Sequence, residues 1–320
     1  MPNNCFVYGV NGRKLHRQYK DYHSDFKTWT QRKHSKEFVL FPNNIGKQLS
    51  IDETALSHGE LYTILTNKDA KGKKGSIVAI IAGTSTEIVL SHLDKIPFRL
   101  RSKVEEITLD MAASMNNIAR YCFPNATLVT DRFHVQKLAT EAVQEIRIKH
   151  RWEAIDKEND AIEGARKNKK SYKPILLSNG DTVKQLLARS RYILYKNNRK
   201  WTQSQKVRAD ILFELYPDIK LAYELSQKLS WIFENTNEKI YGYTRLAQWH
   251  EKVNQAGFKS FNTIARTIMN HYKTILNYFD NRSTNTSAES FNAKIKAFRT
   301  QFRGVRKINF LLFRLTNIYA

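Results

Sequence analysis

The chain has 320 residues, 41% hydrophobic and 12% aromatic, enough for one large domain or two ordinary ones with a core that needs no staples. Fifty-three Lys and Arg against 30 Asp and Glu leave a formal charge of +23, which fits a polyanionic partner better than a merely solvated surface. Cys5 and Cys122, far apart and outside any CxxC, exclude a disulfide framework and a zinc ribbon, and no apolar run approaches the ~18 residues of a membrane span, so an unexported cytoplasmic protein is expected.

Residues 1–47 are basic and dotted with Phe26, Trp29, Phe38 and Phe41, with Pro42-Asn43-Asn44 as a break. They lack the periodicity of a complete helix-turn-helix and are expected to form a helical or irregular lead-in. A short strand is predicted over 49–53, a turn at Ser57-His58-Gly59, and a second strand over 61–66. Residues 67–75 carry four lysines and two glycines and predict a hairpin tip before a β-branched third strand at 76–82. Residues 84–94 have helical period, 106–110 predict a fourth strand, and 112–122 a helix stopped by Phe123-Pro124-Asn125. A fifth strand follows at 126–130.

Three hairpin-linked strands followed by right-handed crossovers give a mixed five-stranded sheet with flanking helices, in the order of the ribonuclease H fold. In that order (3-2-1-4-5) the first and fourth strands are parallel neighbours. From 133 to 280 the strand signal vanishes and helices are predicted at 135–155, 182–195, 203–215, 219–233, 240–255 and 261–279, with 158–173 as a flexible loop. The expected division is therefore a lead-in (1–47), the first part of the α/β core (48–134), an all-helical insertion (135–280) and a C-terminal helix returning to the core (281–320). That last helix starts near Thr286, with Phe291, Ile295, Phe298 and Phe302 on one face and Glu289, Asn292, Lys296 and Arg299 on the other.

Three acids stand where such a fold would converge them. Asp52 ends the first predicted strand, Asp110 the fourth, and Glu289 opens the last helix. Each has an ordinary competitor: a turn former for Asp52, a cap of the next helix for Asp110, and a Thr286-x-x-Glu289 capping box for Glu289. In so basic a chain, a carboxylate cluster is costly unless it holds a divalent metal, and metal pairs of that kind cut and rejoin phosphodiesters. Asp131, on the fifth strand, would lie too far from Asp52 to share that site. Further cations are Lys68, Lys71, Lys73 and Lys74 at the hairpin tip, the 166–173 group, and seven Lys or Arg with no acid over 290–320, among them Lys294, Lys296, Arg299 and Arg303. Lys71, Lys73, Lys74 and those four are the expected DNA contacts, mostly to phosphates. Core packing is the expectation for Trp152, Trp201, Trp231 and Trp249.

Asp52-Glu53-Thr54-Ala55-Leu56, Thr130-Asp131-Arg132-Phe133-His134-Val135 and Ser287-Ala288-Glu289-Ser290-Phe291-Asn292-Ala293-Lys294-Ile295-Lys296 resemble the DDE transposases of bacterial insertion sequences, above all the "L-three" type. The resemblance runs from about residue 48 to the C-terminus. It implies a metal-binding catalytic triad of Asp52, Asp110 and Glu289, two Mg²⁺ ions that Mn²⁺ can replace, cleavage at transposon ends and strand transfer by the freed 3′-OH. It implies supporting roles for Asp131, His134 and Asn292, a homo-oligomer on DNA, and association with the bacterial nucleoid. Such transposases usually begin with a zinc-binding and helix-turn-helix region; its absence before Asp52 suggests a separate N-terminal polypeptide or a truncated copy. A nuclease without strand transfer and a non-catalytic DNA-binding relic are the competing readings.

Overall fold

In the computed structural model, which describes residues 11–57, 59–301 and 307–320, six strands form one mixed sheet. They are β1 (Phe38–Leu40), β2 (Gln48–Ser57), β3 (Glu60–Asn67), β4 (Ile77–Ala82), β5 (Glu106–Leu109) and β6 (Thr127–Thr130), in the order β1-β4-β3-β2-β5-β6. β2, β3 and β4 are antiparallel neighbours, whereas β5 runs parallel to β2 and β6 parallel to β5. The five predicted strands thus lie in the order third, second, first, fourth, fifth. The sixth comes from the lead-in and corrects the count. β4 reads Ile-Val-Ala-Ile-Ile-Ala and is buried along nearly its whole length, so as an edge it would expose a long apolar strand. β1 covers it, pairing Phe38 to Ile81 and Leu40 to Ala79.

Other corrections have local causes. β2 does not stop at Glu53; the alternation Thr54-Ala55-Leu56 carries it to Ser57, with Leu56 fully buried. His58 of the predicted turn lies outside the described residues. The lead-in is helical over Gly12–His23 and then runs through turns to β1, as expected, and it joins the core, because Phe26 packs edge-on against Phe310 and Phe313, with centroids 5.1 and 5.4 Å away. Those two rings belong to an unanticipated helix, Ile308–Tyr319.

Two compact units result. One holds the described residues up to Asp131 together with Asn281–Ala320; the other is Arg132–Asp280. In the first, the sheet has a core on each face. Leu49, Ile51, Ile107, Leu109 and Leu128 face the Thr86–Leu93 and Ala113–Cys122 helices, while Leu56, Ile64 and Ile80 face the Thr286–Gln301 and Ile308–Tyr319 helices through Phe291, Ile295 and Leu312.

The second unit is helical throughout its regular structure. Its first helix, Arg132–Lys167, runs 36 residues and absorbs most of the predicted 158–173 loop. Glu, Ala, Lys and Arg are good helix formers even when no face is apolar, and Arg166 and Lys167 complement the negative end. The long helix predicted at 261–279 is instead three pieces, Lys259–Asn270, Tyr272–Leu276 and Tyr278–Asn281. Trp249 is buried with its indole N–H on Leu225 O at 2.9 Å, and Trp201 donates to Ile193 O at 3.0 Å. Trp152 and Trp231 are exposed, contrary to expectation; Trp231 is flanked by Lys228 and Arg245, 4.1 and 4.9 Å from its ring. Among the described residues, no helix is long and apolar enough to cross a membrane.

Candidate carboxylate site on the central strands

Strand alternation decides which side chains can meet. On β2, Leu49 and Ile51 are buried towards the paired helices, so Ser50, Asp52 and Thr54 take the other face, shared with Leu56 and covered by the Thr286–Gln301 helix. On β5, Ile107 and Leu109 enter the first core, which turns Glu106, Thr108 and then Asp110 to the same side as Asp52. The parallel register pairs Gln48 with Glu106, Leu49 with Ile107 and Ser50 with Thr108. Carried two residues further, it sets Asp52 opposite Asp110, with the strands about 4.8 Å apart. Between β5 and β6 the last pair is Leu109 with Thr130, and Asp131 N–H still donates to Leu109 O at 2.9 Å. Asp131, fully buried, is therefore opposite Asp110 and one strand further from Asp52. Asp52 lies mid-strand rather than at a strand end.

The fourth acid in this neighbourhood is Glu53. Its carboxyl is raised above the ordinary range, first by desolvation and then by the negative charges of Asp110 and Asp52. The folded state therefore favours protonated Glu53, so ionisation costs stability as pH rises above the unfolded-state value. Glu53→Gln is expected to raise the melting temperature at neutral pH, with the gain fading as the pH falls below the carboxylate range; thermal unfolding scans from acid to neutral pH check it. A gain independent of pH would mean that Asp52 and Asp110 create no such field.

The Thr286–Gln301 helix reaches this face through named bonds. Asn292 Nδ2 donates to Asp52 Oδ2 at 2.7 Å, while Asp52 Oδ1 accepts from Glu53 N–H at 2.8 Å. Asp110 Oδ1 accepts the Ala112 N–H, the local turn bond that competes with a functional role. Glu289 is exposed in the first turn, one turn before Asn292 on the same side of the helix. The helix begins at Thr286, and Asn285 precedes it. Among the described residues, no three His, Cys, Asp or Glu side chains are gathered closely enough to hold one ion. By register, Asp52, Asp110 and Asp131 fall in one row across the parallel strands, and the Glu289 helix meets that row at Asp52 through Asn292, without the three predicted ligands closing into a cluster. The acids and amides here are oxygen donors of the kind hard divalent cations take, and the like-charge field at Glu53 fits a site that a cation would relieve. His134 falls in the other unit, in the first turn of the Arg132–Lys167 helix.

Of the predicted DNA contacts, Lys71, Lys73, Lys74 and Lys296 are exposed. Lys294 and Arg299 are partly buried and donate to Gly72 O at 2.8 Å and Ala55 O at 2.5 Å, fastening the helix to the hairpin tip and to β2. Arg303 and Phe302 lie outside the described residues. Lys68, grouped with the tip lysines, is nearly buried and salt-bridged to Glu106 at 3.3 Å. Sequence reasoning missed a basic cleft of about 600 Å³ lined by Lys27, Arg32, Lys33, Trp29 and Asn309. Its only sequence signal was the basic, aromatic character of the lead-in.

A family of proteins described as transposases matches residues 49–315. The chain is 22% identical over 272 residues to the "Transposase for insertion sequence element IS1001" of Bordetella parapertussis, covering 83% of this chain and 59% of that protein. It is 23% identical over 256 residues to the "Transposase for insertion sequence element IS1557" of Mycobacterium tuberculosis, covering 78% of this chain and 55% of that protein. The chain thus spans somewhat over half the length of these curated relatives. No solved structure matches.

Proposed function

Because the chain belongs to the L-three type of insertion-sequence DDE transposases, we propose that it carries the catalytic core that cleaves DNA at transposon ends and joins the freed ends to target DNA. We read the sheet as ribonuclease H-like, since the hairpin strands β2, β3 and β4 are joined by two parallel strands on the β2 side. What supports the reading is the parallel register of β2 and β5, which pairs Ser50 with Thr108 and, carried two residues further, turns Asp52 and Asp110 to one face. Asp52 and Asp110 would hold the cations, with Glu289 completing the set from the helix that Asn292 ties to Asp52. When bound, Mg²⁺ (or Mn²⁺ in its place) supplies charge stabilisation of the attacking and leaving oxygens. Asn292 keeps Asp52 oriented, and the exposed lysines hold the phosphate backbone. In cleavage, water attacks the scissile phosphorus and the bond to the 3′ oxygen breaks, releasing a 3′-OH. In transfer, that hydroxyl attacks a target phosphorus, and one phosphodiester forms as another breaks, with no covalent protein intermediate. Two copies acting on the two ends make a homo-oligomer on DNA the working form.

Incubation of the full chain with a duplex bearing the element's terminal repeat and a target plasmid tests this. Joined products that need Mg²⁺ are expected. Nicking without joining would favour a nuclease, and neither would favour a relic.

The basic cleft gives an independent expectation. Lys27, Arg32 and Lys33 line it beside a buried aromatic cluster. Lys27→Ala, Arg32→Ala and Lys33→Ala together are expected to flatten the dependence of log binding constant on log salt by up to about 2.7, as loss of about three phosphate contacts requires. Fluorescence anisotropy with a labelled duplex from low to physiological salt measures it. An unchanged slope would remove the cleft from the DNA path.

A further inference from the structure

The segment that leads into the Glu289 helix is tied to the sheet by polar groups buried where apolar ones would be cheaper. Ser50 on β2 and Asn285, the residue before the helix, are both fully buried, and Ser50 Oγ donates to Asn285 Oδ1. Asn285 Nδ2 is buried with no hydrogen-bond partner among the described residues. A buried amide with an unused donor costs stability that an apolar residue would not. Asn285 O in turn accepts the N–H of Glu289 at 2.9 Å. One turn on, Asn292 holds Asp52, two residues along β2 from Ser50. The same strand therefore grips the helix at two heights, through Ser50–Asn285 below and Asp52–Asn292 above.

We propose that Ser50 and Asn285 are positioning residues that set where Glu289 stands relative to Asp52. This inference rests on the transposase reading above, since it deepens the role given to Glu289. The argument is geometric. A first-turn side chain inherits any rotation or slide of its helix N-terminus, and Ser50–Asn285 pins that terminus to the strand that carries Asp52. Misplacement by about 1 Å can cost about a hundredfold in rate.

The decisive variant is Ser50→Ala with Asn285→Ala in the full chain, which removes both polar groups and leaves no orphan behind. Three readouts apply: thermal unfolding, amide hydrogen exchange at Glu289, and cleavage of a terminal-repeat duplex as kcat, KM and Mg²⁺ midpoint. The expected result is a melting temperature within a few degrees of the parent, faster exchange at Glu289, kcat lower by about tenfold or more, a raised Mg²⁺ midpoint and an unchanged KM. Ser50→Thr, which keeps the hydroxyl, should retain activity. Unchanged exchange and kcat in the double variant would overturn the proposal, as would a fall in melting temperature that alone accounts for the lost rate. If the parent shows no Mg²⁺-dependent cleavage but exchange at Glu289 still rises in the double variant, the clamp stands and the catalytic reading fails.

Discussion

Asp52→Asn, Asp110→Asn and Glu289→Gln are each expected to lower Mg²⁺-dependent cleavage of terminal-repeat DNA by about a thousandfold or more while leaving DNA binding nearly intact. A bound metal's stabilisation of charge at the transferring phosphate is worth several kcal/mol, and each ~1.4 kcal/mol is a factor of ten in rate. The amides keep the shape of the acids, so packing survives. At Asp52 the substituted amide can still accept the Asn292 donor through its oxygen, which makes a folding defect a poor explanation for lost activity. Asp131→Asn is expected to be milder, because β6 places it one strand beyond Asp110. Gel assays of single-turnover cleavage, with anisotropy for binding, measure both. Full activity in Asp110→Asn together with loss in Asp131→Asn would mean that the second ligand had been assigned to the wrong strand.

The adjacency of β2 and β5, the strands that lead to Asp52 and Asp110, was legible in the sequence because it follows from local pattern and one chirality rule. Hairpin-linked strands followed by right-handed crossovers leave the first and fourth strands adjacent, and the β-branched run of β4 and the Phe123-Pro124 stop fix where the crossovers fall. β1 was not legible: Phe38-Val39-Leu40 is too short to show a period, and its partner Ile81 lies over forty residues away. The helix to Lys167 was hidden because polarity was read as a loop, although Ala, Glu, Lys and Arg need no apolar face to stay helical. The clamp was the least legible, since Ser50 and Asn285 are 235 residues apart and neither belongs to a motif. Asn292 could be flagged only through the resemblance; its contact with Asp52, 240 residues away, needed the structure. Exposed Trp231 shows the same limit, as a tryptophan's burial depends on which helix it meets.

The buried charges beside the acidic row lead to the second large effect. Glu106 and Lys68 are 5% and 11% exposed, and Lys68 Nζ lies 3.3 Å from Glu106 and donates to Thr108 Oγ1 at 2.8 Å. Glu106 Oε2 also accepts from Asn281 at 3.2 Å, so the carboxylate ties the chain returning from the helical unit to β5. Glu106→Ala strands a nearly buried ammonium without its counter-charge, and is expected to destabilise the sheet unit by about 3–5 kcal/mol. Removing both charges is a different experiment. Lys68→Met with Glu106→Leu replaces a desolvated pair by apolar groups of similar volume, and is expected to be neutral or stabilising by a few kcal/mol at most. Urea unfolding of the parent, the single variant and the double variant separates these cases, read on a probe in the sheet unit. Equal losses in the single and double variants would show that the pair contributes net stability instead of merely avoiding an orphan charge. The distinction bears on function: if the pair adds no net stability, its role is to align β5, four residues before Asp110 on the same strand face, with the end of β3 and the segment that returns at Asn281.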